Sequence, residues 1–252
     1  MFKVAHISRY CLVFLLLGLC EISSADEGRI PSRTAIEILE FIDGAFLSGE
    51  TYELFIESET YRQHKRRPDV RTIKLLDDGK DSTIVEFMDG PERGQKVLST
   101  RQEVWFFAPR TKRAIKVPSA QRIFRNASIG DTARLRLSKD YNIVSTKREN
   151  PSYLYIDLQA KSNVATYQSI LLKIDAHTYL PVQADYSVAS GKRVKRGIYE
   201  KTEIVDGILQ RRIFRIEDTQ KENSYTRIIF KTAKQIKLPP NSFSVRRVEL
   251  GL

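Results

Sequence analysis

With 252 residues and a formal net charge of +11, from 42 Lys+Arg against 31 Asp+Glu, the chain is long enough to bury a large core without covalent staples. Its two cysteines, Cys11 and Cys20, both lie near the N-terminus, so disulfides, thiolate zinc sites and cysteine catalysis are excluded from everything that follows them.

The first 25 residues read as a removable export signal. Lys3 and Arg9 form a basic opening, "CLVFLLLGLC" (11–20) is the apolar segment, and Ser23 and Ala25 stand as small residues before a cleavage point. Ten apolar residues are too few to span a bilayer. Leu19 is too large to precede an acylated cysteine, so an anchor at Cys20 is not expected. The expected organisation is a signal over 1–25 and one domain over 26–252 of an exported protein.

One helix opens this domain. In "PSRTAIEILEFIDGAFLSGE", Ala35, Ile38, Leu39, Ile42 and Phe46 recur at i, i+3, i+4 spacing. Pro31 and Ser32 supply start signals, and Gly49 a stop. The period then changes to two. Strands are predicted over 51–58, 70–77, 82–89, 97–109 and 113–118, then over 152–160, 167–175, 181–189, 195–205, 209–218 and 225–233. Asp77-Asp78-Gly79-Lys80, Asp89-Gly90, Ser190-Gly191 and Asp206-Gly207 are hairpin signals. These connections are too short for parallel crossovers, so the sheet is an antiparallel meander. Residues 119–145 lack this order and read as a loop with short helical pieces lying over the sheet.

Several strands are greasy on both faces. In "EVWFFAP", Val104 and Phe106 oppose Trp105 and Phe107. Leu154, Ile156 and Leu158 oppose Tyr153 and Tyr155, and Ile170, Leu172 and Ile174 oppose Leu171. A flat sheet of this kind would expose a large apolar patch. A curved sheet wrapped around the helix hides one face. The expected fold is therefore mostly β with some helix: an incomplete antiparallel barrel, or half-barrel, with helices covering its concave face.

Catalytic signals are weak. His64 lies in a basic run and His177 in a turn, neither with a ligand-spaced partner, so no metal and no cofactor is expected. No nucleophile elbow and no Gly-rich phosphate loop occurs. An enzyme is not expected. The basic runs His64-Lys65-Arg66-Arg67, Arg110-Thr111-Lys112-Arg113 and Lys192-Arg193-Val194-Lys195-Arg196 suit anionic surfaces or acidic partners; in an exported chain they do not point to nucleic acid. Arg110, Lys112 and Arg113, directly after the aromatic strand, are the docking candidates.

In order along the chain, Trp105, Phe107, Pro109, Lys112, Arg113, Gln121, Arg122, Gly130 and Asp131 are followed by "YLPVQADYSVASGK" (179–192) and "LPPNSFSV" (238–245). This succession resembles the outer-membrane lipoprotein-sorting superfamily of LolA and LolB, in its LolA-like branch, over roughly residues 33–247. The resemblance implies an open half-barrel whose cavity carries acyl chains of lipoproteins or other lipids across the periplasm toward the outer membrane. It implies a partner in an inner-membrane exporter of ABC or RND type, or in an outer-membrane acceptor. A sensor of the RseB type, with the same fold, is the alternative. The expected cavity lining is Ile42 and Phe46 from the helix, Trp105 and Phe107, and from later strands Tyr153, Tyr155 and Leu171.

Overall fold

Thr34 and Glu37 start the first helix, α1 (Ala35–Gly44). The Glu37 carboxylate accepts from Thr34 N at 2.6 Å and Thr34 Oγ1 at 2.8 Å, while Thr34 Oγ1 accepts from Glu37 N. This reciprocal box satisfies helix-start donors that otherwise lack partners. In this computed structural model the described residues are 33–44, 50–63, 65–100, 103–109, 111, 113–117, 122–124, 127–128, 135–163, 165–205, 208–221 and 223–251. Pro31, Ser32, Phe46 and Gly49 lie outside them, as does the whole 1–25 segment.

After α1 come β1 (Tyr52–Tyr61), β2 (Asp69–Asp77), β3 (Thr83–Phe87), β4 (Lys96–Ser99), β5 (Val104–Phe107) and β6 (Ala114–Val117). Two short strands, β7 (Arg122–Phe124) and β8 (Ala127–Ser128), pair only with each other. Then follow α2 (Leu137–Asp140), β9 (Tyr141–Asn150), β10 (Tyr153–Ala160), β11 (Ser169–Asp175), β12 (Pro181–Ser187), β13 (Arg193–Val205), β14 (Ile208–Asp218), β15 (Tyr225–Gln235) and α3 (Val245–Glu249). Thirteen strands form one antiparallel sheet in the order β6-β5-β4-β3-β2-β1-β15-β14-β13-β12-β11-β10-β9. Two meanders thus meet where β1 pairs with β15, Ile56 opposite Phe230 and Tyr61 opposite Tyr225. The sheet does not close on itself: it is a half-barrel with α1 on its concave face.

The turn chemistry explains the register. At Gly79, φ is +68°, a left-handed conformation open to glycine, and Asp77 Oδ1 accepts from Gly79 N at 2.6 Å. Asp78 Oδ1 then accepts from Lys80 N and Ser82 N. The Asp206-Gly207 signal lies outside the described residues.

Two expectations need correction. The run 97–109 is two strands, because Thr100 turns the chain: its Oγ1 accepts from Glu103 N, and its own N–H donates to Glu103 O. Residues 141–150, assigned to the loop and the gap after it, form the edge strand β9. The rest of 119–145 holds β7, β8 and α2, beside residues outside the description.

Pleat alternation and register together put one set of side chains on the face carrying α1. Ile38, Leu39 and Ile42 of α1 are buried there against Ile156, Leu158, Ile170, Leu172, Ile174 and Ala184. Each such aliphatic burial contributes on the order of 1.5–3 kcal/mol. Gly197 permits a close approach on this face: a Cβ there would lie 2.5 Å from Phe214 Cζ and 3.1 Å from Tyr186 Cε2. The Phe214 ring then packs at 4.9 Å from Tyr199.

Over β1 and β12–β15 the opposite face is held by charge. Arg227 bridges Glu59 and Glu200 at 3.1 and 3.0 Å, and Arg215 joins Glu200 to Glu217. Asp185 takes Arg196 on both oxygens, at 2.7 and 3.0 Å, and Arg193 at 3.1 Å. Burial alone would raise Asp185, but these guanidinium bonds overcome it and hold its carboxyl below the ordinary range.

Candidate functional site

The concave face carries two apolar regions of different construction. Over β9–β13 it is sealed by α1 and by Leu137 of α2. Asp43 fixes that seal: its Oδ1 accepts from Leu137 N at 2.8 Å, and its Oδ2 accepts from Ser138 N at 2.8 Å and Ser138 Oγ at 2.6 Å. At the other end of α1, Arg33 N donates to the Tyr179 hydroxyl, and the Arg33 guanidinium stacks 4.3 Å over Phe41.

Over β1–β5 and β14–β15 the second region consists, among the described residues, of strand side chains. Leu54, Ile56, Ile73, Leu75, Val85, Phe87, Val97 and Val104 adjoin Phe214, Ile216 and Ile228. Its border is half-buried and largely aromatic: Tyr52, Phe106, Tyr199 and Phe230, with Val117. Ile115, paired with Phe106 and on the same face, is 54% exposed. Phe106 reaches the region because β5 pairs with β4, setting Phe106 opposite Val97. A broad aliphatic base with a partly exposed aromatic border suits a flexible, apolar ligand held by contact area rather than by directed bonds.

The structure separates the residues expected to line a cavity. Ile42 is on the concave face, but it is only 3% exposed beneath α1. Trp105 and Phe107 are on the opposite face, in a cluster with Leu76, Ile84, Leu98 and Val248 and beside Ile236, Leu238, Phe243 and Val245. The greasy outer side of β5 is therefore covered by the C-terminal segment, not by a lid over the concave side. Trp105 Nε1 donates to Glu103 Oε2 at 3.0 Å, and Lys116 Nζ donates to Glu103 Oε1 at 2.6 Å. Those two bonds, from Lys116 first, hold the Glu103 carboxyl below its ordinary range.

Tyr153, Tyr155 and Leu171 are also on the outer face, since Leu154 and Leu172 point to α1. Lys173 Nζ lies 3.8 Å from the Tyr153 ring centroid and 5.9 Å from that of Tyr155, a cation–π arrangement. Leu171 is 43% exposed. Phe46, Arg110 and Lys112 lie outside the described residues, and Arg113 is exposed before β6.

Sequence reasoning missed Tyr52, Phe106, Tyr199 and Phe230. A signal was present in β1, where Glu53, Glu57 and Glu59 alternate with Leu54, Ile56 and Ser58. The charged side of that strand marks the outer face, and register carries the parity across the sheet. Among the described residues, no group of three or more His, Cys, Asp or Glu is placed to hold a metal ion. No helix among them is long and apolar enough to cross a membrane.

Residues 79–249 match the profile of a family whose description reads "Uncharacterized protein". The chain belongs to that family. No curated protein matches it. Its fold is LolA-like. A LolA superfamily protein from Nitrosomonas europaea superposes with a TM-score of 0.75 at 24% identity, covering 84% of this chain and 98% of that one. A DUF1329 family protein from Desulfovibrio piger gives 0.68 at 19% identity, covering 83% and 95%. A putative outer membrane lipoprotein-sorting protein domain from Vibrio parahaemolyticus gives 0.68 at 14% identity, covering 85% and 97%. Among the described residues, the half-barrel presents a concave apolar face.

Proposed function

We propose that this protein is an exported carrier that binds acyl chains of lipoproteins or other lipids on its concave face and delivers them toward the outer membrane. The observation that carries the reading is the apolar region of strand residues bordered by Tyr52, Phe106, Tyr199 and Phe230. Transfer of each methylene from water contributes about 0.8 kcal/mol, so a long acyl chain crosses an aqueous compartment only under cover. The aliphatic base supplies that cover, and the half-buried border can repack around chains of different length. The basic, apolar and small-residue succession over 1–25 supports export to the periplasm.

The shared fold with a putative lipoprotein-sorting domain supports the cargo class. The inner-membrane exporter and the outer-membrane acceptor are the donor and recipient that such a cargo requires. Mass spectrometry of lipids co-purifying with the protein, followed by transfer of labelled lipid between donor and acceptor vesicles, tests the reading. Bound acyl lipid and accelerated transfer are expected. A protein that carries no lipid after mild purification and transfers none refutes it.

A further inference from the structure

Strand direction gathers the basic segments at one end of the sheet. In an antiparallel meander successive hairpins alternate between the two ends. The turns β1–β2, β3–β4 and β5–β6 therefore share one rim, and β10–β11, β12–β13 and β14–β15 share one rim of the second meander. The pairing of Tyr61 with Tyr225 puts the end of β1 beside the start of β15, so these are the same rim. The described residues of all three basic runs reach it: Lys65, Arg66 and Arg67, then Arg113, then Lys192 and Arg193.

The cations there divide into two classes. Arg62 and Lys65 are engaged by Asp69, Arg193 by Asp185, and Lys161 by the Ser138 and Lys139 carbonyls. Arg66, Arg67, Arg93, Arg113, Lys192 and Lys221 are exposed and form no ion pair among the described residues. Exposed apolar groups accompany them: Val70 is 43% and Met88 38% exposed, and Tyr61 stacks on Tyr225 with centroids 4.6 Å apart. At the opposite rim the turns β2–β3 and β11–β12 are built on carboxylates, with Asp77, Asp78 and Asp175 accepting from their own turn amides.

We infer that the rim carrying Arg66, Arg67, Arg113 and Lys192 docks on an anionic phospholipid surface. Several unpaired cations around half-exposed tyrosines and aliphatics match a headgroup layer, where charge meets phosphate and amphipathic rings sit at the boundary. A bilayer presents many phosphates in one plane, which suits charges spread over several hairpin tips better than a single acidic peptide does. The inference does not rest on acyl binding, because the rim and the concave apolar region share no residue named here.

The test uses delipidated protein and vesicles of phosphatidylcholine with and without phosphatidylglycerol, at low and high salt. Wild type should bind the anionic vesicles at low salt and release them as salt rises. The variant Arg66→Glu, Arg67→Glu, Arg113→Glu, Lys192→Glu should bind on the order of tenfold or more weakly. A charge-matched control, Lys234→Glu, Lys237→Glu, Arg246→Glu, Arg247→Glu, should retain binding; these four are exposed and outside the rim turns. The milder Gln series at the same rim positions repeats the measurement if the Glu series loses its β-sheet circular dichroism. Absence of wild-type binding to phosphatidylglycerol vesicles, including binding only to an acidic protein instead, overturns the inference. So does an equal loss in rim and control variants, which would make the effect one of net charge alone.

Discussion

Asp43 holds Ser138 across 95 positions of sequence, accepting from both its amide and its hydroxyl at 2.8 and 2.6 Å. With the third bond, from Leu137 N, this carboxylate caps α2 from the end of α1 and so ties together the two helices on the concave face. Charge-assisted bonds of this kind are worth more than neutral ones, and leaving their donors without a partner adds to the loss. Asp43→Ala should lower stability by about 2 kcal/mol in urea unfolding and speed amide exchange at Leu137 and Ser138. Unchanged exchange at those two amides would show that the helices are held without this contact.

Gly197 is a prediction about space. A methyl group there meets Phe214 and Tyr186, both buried, with no flexible side chain to yield. Gly197→Ala should cost about 1–3 kcal/mol by overpacking, and Phe214→Leu in the same chain should recover part of it. Wild-type stability in the single variant would contradict the packing described for β13 and β14.

How much of this could be read from the sequence depended on the element. Strands bounded by Gly and Asp turns were legible, because Asp77 and Gly79 enforce their own local geometry. The break at Thr100 was not, since a hydroxyl-based turn leaves no Gly or Pro signal. Strand β9 escaped for another reason: beyond Tyr141 and Ile143 it is exposed on both sides, so no alternation marks it. The half-barrel class followed from double-faced strands and short turns. The site residues did not, because two apolar faces give parity without saying which is concave. Trp105, Phe107, Tyr153, Tyr155 and Leu171 were expected in the cavity and stand on the outer face, where the C-terminal segment covers the first two.

Asp185 gives a dependence on pH with a definite sign. Its carboxyl is held below the ordinary 3.8 by Arg196 and Arg193 despite burial. A depressed folded-state pKa stabilises the protein fully above the unfolded value, and that stability is lost as pH falls through the folded value. Wild type should therefore lose stability below about pH 4 more steeply than Asp185→Asn. Superimposable acid limbs would mean that the guanidinium pair does not bias ionisation.

Trp105 reports on the C-terminal segment. Val248 is buried in its cluster, with Phe243 and Val245 packed alongside. Val248→Asp should detach α3, move the Trp105 emission to longer wavelength and increase quenching by iodide. An unaltered spectrum would show that the outer face of β5 is covered by something else.

The central claim, that acyl chains bind the concave strand region, is tested most directly by moving the single tryptophan from one face of β5 to the other. Trp105 and Phe106 are adjacent and point to opposite sides. In the variant Trp105→Phe, Phe106→Trp, titration of delipidated protein with a long-chain fatty acid should give a saturable blue shift. Wild type, its tryptophan facing the C-terminal segment, should show little change over the same range. A flat response at position 106, or an equal response from Trp105, would contradict binding at the concave face.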